Sequence, residues 1–135
     1  MGRLLAIDYG ARRVGLALSD PLKMIASPYR TIINNNNTIL IEEIETIIAA
    51  EDVELTIIGL PLGMAGQKTE QTKKVEEFVD KLTDRGIIIK YEDERWSSVA
   101  AKRSMKEQNI KSGHNKDLVD QTAAAIFLQQ YLDRH

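Results

Sequence analysis

Three acids in this 135-residue chain stand where a plan for packing alone does not need them: Asp8, Glu94 and Asp120. Asp8 closes the apolar run Leu4 to Ile7, and Glu94 follows another, Ile87 to Ile89. Asp120 lies near the start of an amphipathic segment in which Ala124, Phe127 and Tyr131 follow it at helical spacing, so it is aimed at the side that should face a sheet. Carboxylates gathered from remote positions repel one another and coexist only with cations or shared protons. The chain has no cysteine, and its only histidines are His114 and His135. An oxygen donor set of this kind favours Mg²⁺ or Mn²⁺ over zinc. Carboxylate-held divalent ions suit phosphodiester hydrolysis, because they activate a water and stabilise the leaving oxygen. Each acid also has a plainer reading. Asp8 can cap its own turn, Glu92-Asp93-Glu94-Arg95 can be a solvated strand exit, and an acid in a first helical turn is favoured by the macrodipole. Asp117, on nearly the same face as Asp120, competes with it as a ligand, and Asp93 competes with Glu94.

The elements that must position these acids follow from periodicity. Leu4 to Ile7 and Val14 to Leu18, joined by Tyr9-Gly10-Ala11-Arg12-Arg13, predict a β-hairpin, with Asp8 on the face of Leu4 and Ala6. Met24 to Ile33, interrupted by Pro28, predicts an irregular edge strand. Asn37 or Thr38 can cap a helix carrying Leu40, Ile41, Ile44, Ile47 and Ile48 on one stripe. Leu55 to Leu60 reads as a buried parallel strand entering a glycine-containing loop. A second helix follows with Val75, Phe78, Val79 and Leu82 inward, ended by Gly86. A strand beginning at Ile87 comes next, then a helix capped by Ser97 or Ser98 and a last helix from about Lys116 to Leu132. Three consecutive antiparallel strands and then β-α-β units predict an α/β fold, a mixed five-stranded sheet with helices on its faces, in a single domain spanning 1–135.

Composition is that of an ordinary globular protein, 43% hydrophobic and 28% charged, with a net charge of −2 that gives no global sign of nucleic-acid binding. Charge is uneven, however. Between Lys102 and Lys116, the bases Lys102, Arg103, Lys106, Lys111 and Lys116 stand against the single acid Glu107, either a solvated helix face or a path for phosphate. No signal segment or membrane-length apolar run is visible, so the expected location is the cytoplasm, with no membrane partner.

Four segments in order, AIDYGARRVGLALSD (6–20), IIGLPLGMAGQ (57–67), DERWSS (93–98) and VDQTAAAIFLQQYL (119–132), resemble the YqgF/RuvX family, pre-16S rRNA nucleases related to Holliday junction resolvases of the RuvC type. The resemblance covers essentially the whole chain. It implies an RNase H-like fold and a metal-dependent nuclease linked to maturation of the 5′ end of 16S rRNA, with two Mg²⁺ or Mn²⁺ ions as cofactor. By position it assigns Asp8, Glu94 and Asp120 as catalytic, metal-holding acids, the family's basic position to Arg12 or Arg13, and its Gly-Leu-Pro loop to Gly59 to Pro61. Lys106 and Lys111 join these arginines as expected substrate contacts. The implied partner is structured RNA, pre-16S rRNA, with DNA junctions as the alternative, bound by a monomer or a homodimer. Trp96 stands where an aliphatic residue is usual, Ser98 where Thr is common, and Asp117 in a stretch typically basic in relatives. Two other readings stay open: a non-catalytic nucleic-acid module of the same fold, and an ATP-binding domain of the actin and sugar-kinase kind, which needs a second domain this length does not hold.

Overall fold

Alternating apolar positions become strands β1 (Arg3–Tyr9), β2 (Arg13–Ser19), β3 (Ala26–Ile33), β4 (Val53–Leu60) and β5 (Ile89–Asp93) in a computed structural model of the chain. Helices α1 (Asn37–Ala50), α2 (Glu70–Asp84) and α3 (Lys116–Arg134) complete the elements among the described residues, which are 2–93 and 116–135, with side chains from 119 onward in the last helix. Glu94, Lys106, Lys111 and the helix expected after Ser98 lie outside the described residues, as does the side chain of Asp117.

The strands form one sheet in the order β3-β2-β1-β4-β5. β1 pairs antiparallel with β2 and parallel with β4, and β2 and β4 extend the sheet to β3 and β5. This is the mixed five-stranded arrangement that the element order predicts. β3 is an edge strand, and its ladder shifts register where Ala17 meets Pro28, a residue that cannot donate. Leu5, Ile7, Val14 and Leu16 pack on one face with Ile41 and Ile44 of α1 and Val75, Phe78 and Leu82 of α2. Leu4, Ala6, Ala17 and Ile57 pack on the other with Ala124, Phe127, Leu128 and Tyr131 of α3. The small alanines on this second face let a single helix lie close to the sheet.

Several boundaries differ from the sequence expectation for identifiable reasons. β1 does not stop at Ile7 but continues through Asp8 and Tyr9, because both have ladder partners in β2, Gly15 and Val14. Asn36, rather than Asn37 or Thr38, caps α1: its Oδ1 accepts from the N–H groups of Thr38 and Ile39. Asn37 is occupied otherwise, its Oδ1 accepting from the Tyr9 hydroxyl. β5 begins at Ile89, not Ile87, because Gly86 and Ile87 are used to close α2. The Ile87 N–H reaches the Leu82 carbonyl and the Gly86 N–H that of Thr83, the Schellman pattern, with Gly86 at φ +82°. α3 runs two residues beyond Leu132, to Arg134.

That cap gives a clean test of backbone strain. Nothing lies within 4 Å of a Cβ added at Gly86. Gly86→Ala should therefore lose only the left-handed penalty, about 1 kcal/mol. Urea unfolding should show a lower midpoint at unchanged slope, and an unchanged midpoint would mean that α2 ends by another device.

Candidate active site

Asp8 and Ala6 sit on the sheet face that α3 covers, since Ala6 packs with Ala124 and Phe127 and side chains alternate along β1. Directly across the ladder from Asp8 is Gly15. The absent side chain at Gly15 is what lets α3 approach: a Cβ built there would overlap the backbone carbonyl of Asp120 and lie 2.8 Å from its Cβ. Paired strand residues on one face have Cβ atoms roughly 5 Å apart. The Cβ atoms of Asp8 and Asp120 are therefore within about 8 Å of one another, a spacing at which two carboxylates can reach a common ligand.

Asp120 is half-buried, and Ala124, Phe127 and Tyr131 behind it are buried, so this stripe of α3 does face the sheet. Gln121, beside it, donates from Nε2 to Thr31 Oγ1 at 3.0 Å, and Thr31 is the ladder partner of Gly15 on its other side. The start of α3 is thus fastened across β3, β2 and β1 in one row. Arg13 alternates onto the same face as Gly15 and Ala17 and is half-buried, whereas Arg12 lies exposed in the β1–β2 turn.

Two arrangements here were not foreseen from the sequence. The first turn of α2 holds the carbonyl ends of both central strands. Gln71 Nε2 donates to the Tyr9 carbonyl at 3.1 Å, and the buried Thr72 hydroxyl donates to the Pro61 carbonyl. Tyr9 is further fixed by stacking on Phe78, ring centroids 4.2 Å apart, so the residue after Asp8 is held through carbonyl, ring and hydroxyl. The readable signal was the capping box at Thr69, whose fourth residue is Thr72.

The second is at β5. Glu92 is only 6% exposed, and Arg134 at the end of α3 donates to both its carboxylate oxygens, one at 2.6 Å. That hydrogen bonding raises the Arg134 guanidinium above its ordinary value, against the opposing effect of desolvation. Nothing in the sequence pairs residues so far apart.

Asp8 and Asp120 are brought together; the third expected acid, Glu94, lies outside the described residues, immediately after β5. Among the described residues no three histidine, aspartate or glutamate side chains gather as a metal site. The two described carboxylates fit a hard divalent ion in donor chemistry, both being oxygen ligands.

The family described as RuvX, Holliday junction resolvase, matches this chain over residues 2–134. A protein of Roseiflexus sp. (strain RS-1), named a pre-16S rRNA nuclease, is 41% identical over 133 residues, covering 98% of this chain and 94% of the relative. One of Bacteroides thetaiotaomicron with the same name is 42% identical over 137 residues, covering 98% and 97%. Among solved structures, T. thermophilus RuvC in complex with a Holliday junction substrate superposes with a TM-score of 0.61 at 13% identity, over 99% of this chain and 95% of that one. Fowlpox virus resolvase with Holliday junction DNA gives 0.58 at 9% identity, over 98% and 97%. At these identities the structural likeness speaks for the fold, an RNase H-like one.

The close approach at Gly15 predicts a sharp contrast between two glycines. Gly15→Ala should force α3 off the sheet, because the obstacle is Asp120 backbone. Gly63→Ala meets only the far end of the flexible Gln67 side chain. Overpacking a fixed backbone typically costs about 1–3 kcal/mol. The Gly15 variant should melt well below wild type and the Gly63 variant near it; equal melting temperatures would mean that Gly15 does not set the position of α3.

Proposed function

This chain belongs to the RuvX family of Holliday junction resolvases, and from that premise we propose that it is a metal-dependent nuclease whose single domain, residues 1–135, hydrolyses phosphodiester bonds at Asp8, Asp120 and Glu94. The observation that carries the reading is the placement of Asp120 over Gly15, the ladder partner of Asp8, where the missing side chain lets the backbone of α3 come down onto the sheet. An acid needed only for capping has no reason to lie over the ladder partner of a second acid 112 positions away.

Asp8 and Asp120 would hold Mg²⁺ or Mn²⁺, two ions in the full site, with Glu94 supplying the third carboxylate. Such ions supply an activated water and stabilisation of the leaving oxygen. The chain's own contribution is to fix the carboxylates: β1 and its α2 clamp hold Asp8, and the Gln121–Thr31 bond and the α3 packing hold Asp120. Arg13, half-buried on the same face, and Arg12, exposed in the turn, are suited to meet the phosphates flanking the cleaved bond; Lys106 and Lys111, outside the described residues, are further contacts expected from charge alone.

The substrate we favour is structured RNA, and in particular pre-16S rRNA in ribosome biogenesis, because relatives about 40% identical over nearly their full lengths carry that name. This work belongs in the cytoplasm, and no helix among the described residues is long and apolar enough to cross a membrane. DNA junctions are the second reading, favoured by the description of the family itself. Cutting a junction symmetrically calls for a homodimer, whereas trimming an RNA end needs only a monomer.

Asp8→Asn and Asp120→Asn preserve side-chain shape while removing charge. Each should lower Mn²⁺-dependent cleavage of a pre-16S rRNA fragment by about three orders of magnitude, equivalent to the several kcal/mol that ion-assisted charge stabilisation provides. Melting temperature without metal should stay level or rise, as when a functional site is relaxed. Turnover like that of wild type in a purified variant would remove that acid from the mechanism.

A further inference from the structure

A cleft of about 420 Å³ opens on the opposite face of the sheet, between the start of α1 and the side of α2. We propose that it binds a single-stranded nucleotide segment flanking the bond cleaved at Asp8, with Lys74 and Lys81 on its phosphates and the Asn34–Asn37 amides against its sugar and base edges. The proposal rests on the nuclease reading for what brings the strand there, and on the following geometry for where it goes.

The cleft adjoins the proposed site through the chain itself. Tyr9, which follows Asp8, lines it, and so does Ala11 of the β1–β2 turn. A strand whose reacting phosphate lies at Asp8 need only cross that short turn, past the exposed Arg12, to enter. Four consecutive asparagines form one wall. Each primary amide both donates and accepts, the inventory that reads unstacked base edges and ribose hydroxyls. Asn37 already accepts from Tyr9 and Asn34 through Oδ1, which fixes its amide and leaves its NH₂ to donate.

Charge supports the same occupant. Lys74 and Lys81 lie two helical turns apart on α2, about 10 Å along its axis, so they can meet different phosphates of one strand. Elsewhere the basic side chains of Lys23, Lys68, Arg85 and Arg134 are matched by Glu54, Glu76, Glu45 and Glu92. Among the described residues Lys74 and Lys81 have no such carboxylate. Glu77 lies between them on the lining and repels phosphate at that point, which favours a ribose there, whose 2′-hydroxyl can donate to the carboxylate. The volume is at the small end of ligand pockets and takes a nucleotide, not a duplex.

The test uses the full-length chain with Asp8→Asn, so that the probe survives, and a short fluorescent oligouridylate titrated at several salt concentrations. Adding Lys74→Ala and Lys81→Ala should weaken binding roughly tenfold and shallow the salt slope by about 1.4, the 0.7 per contact expected for single strands. Lys73→Ala with Lys90→Ala removes the same charge from exposed positions outside the cleft, and should leave the slope near its starting value. Asn35→Ala, at an exposed residue, should weaken binding without altering the slope. Equal effects of the two lysine pairs, or none from either, would overturn the proposal. Uridine monophosphate binding as tightly as the oligomer would likewise overturn a strand as occupant. Cleavage of the same oligomer by the wild-type chain in Mn²⁺ is measured separately: its absence with the lysine effect intact would count against the nuclease reading and leave the cleft standing.

Discussion

The missing Cβ at Gly15 is the constraint on which the site depends. A helix crossing a sheet normally stands off by the length of the side chains between them. Here Ala6, Ala17, Ala124 and Ala125 shorten that distance, and Gly15 removes it at the one point where the backbone of Asp120 comes down. Because Gly15 and Asp8 are ladder partners, the close approach also brings the Asp120 backbone to the row of the sheet that carries Asp8. One residue without a side chain therefore sets both the height of α3 and the neighbourhood of two acids remote in sequence.

The other face of the sheet does the complementary work. Its large aliphatic residues bury two helices, and the first turn of α2 is tied by side chains to the ends of β1 and β4. Strand ends fray unless their carbonyls find partners. Gln71 and Thr72 supply those partners at Tyr9 and Pro61, next to Asp8 and to the end of β4, where Gly59 and Leu60 are still paired with β5. Rigidity at the proposed centre is thus built from behind the sheet, while α3 packs on its front. Glu92 and Arg134 tie the far end of α3 to β5, two residues short of Glu94 in sequence.

Much of this plan was legible before any coordinates. Alternation assigned Asp8 to the face of Leu4 and Ala6, and helical spacing set Asp120 in line with Ala124, Phe127 and Tyr131; both placements hold. The mixed five-stranded sheet and its two-sided packing followed from the order of the elements and the apolar stripes of the described helices, whereas the order of the strands came only from the structure. What periodicity does not carry is side-chain traffic between elements. Asn36 and Asn37 are chemically identical, and only the reach of the Tyr9 hydroxyl decides which one caps α1. Ile87 is as β-prone as Ile89, but the Schellman closure of α2 claims it first. Nothing around Gly15 in the sequence marks it out, and its meaning lies in a residue more than a hundred positions later. The assignments of Glu94, Lys106 and Lys111 rest on resemblance and on charge alone.

The central claim is that Asp8 and Asp120 share an ion. It is tested most directly by crystals soaked in Mn²⁺ and measured for anomalous scattering. The account predicts a peak bonded to carboxylate oxygens of both residues, at the roughly 2.0–2.3 Å usual for small hard divalent ions. That peak should vanish in Asp120→Asn crystals grown and soaked identically. An anomalous peak that forms elsewhere, or density showing the two carboxylates turned to separate partners in saturating Mn²⁺, would contradict it.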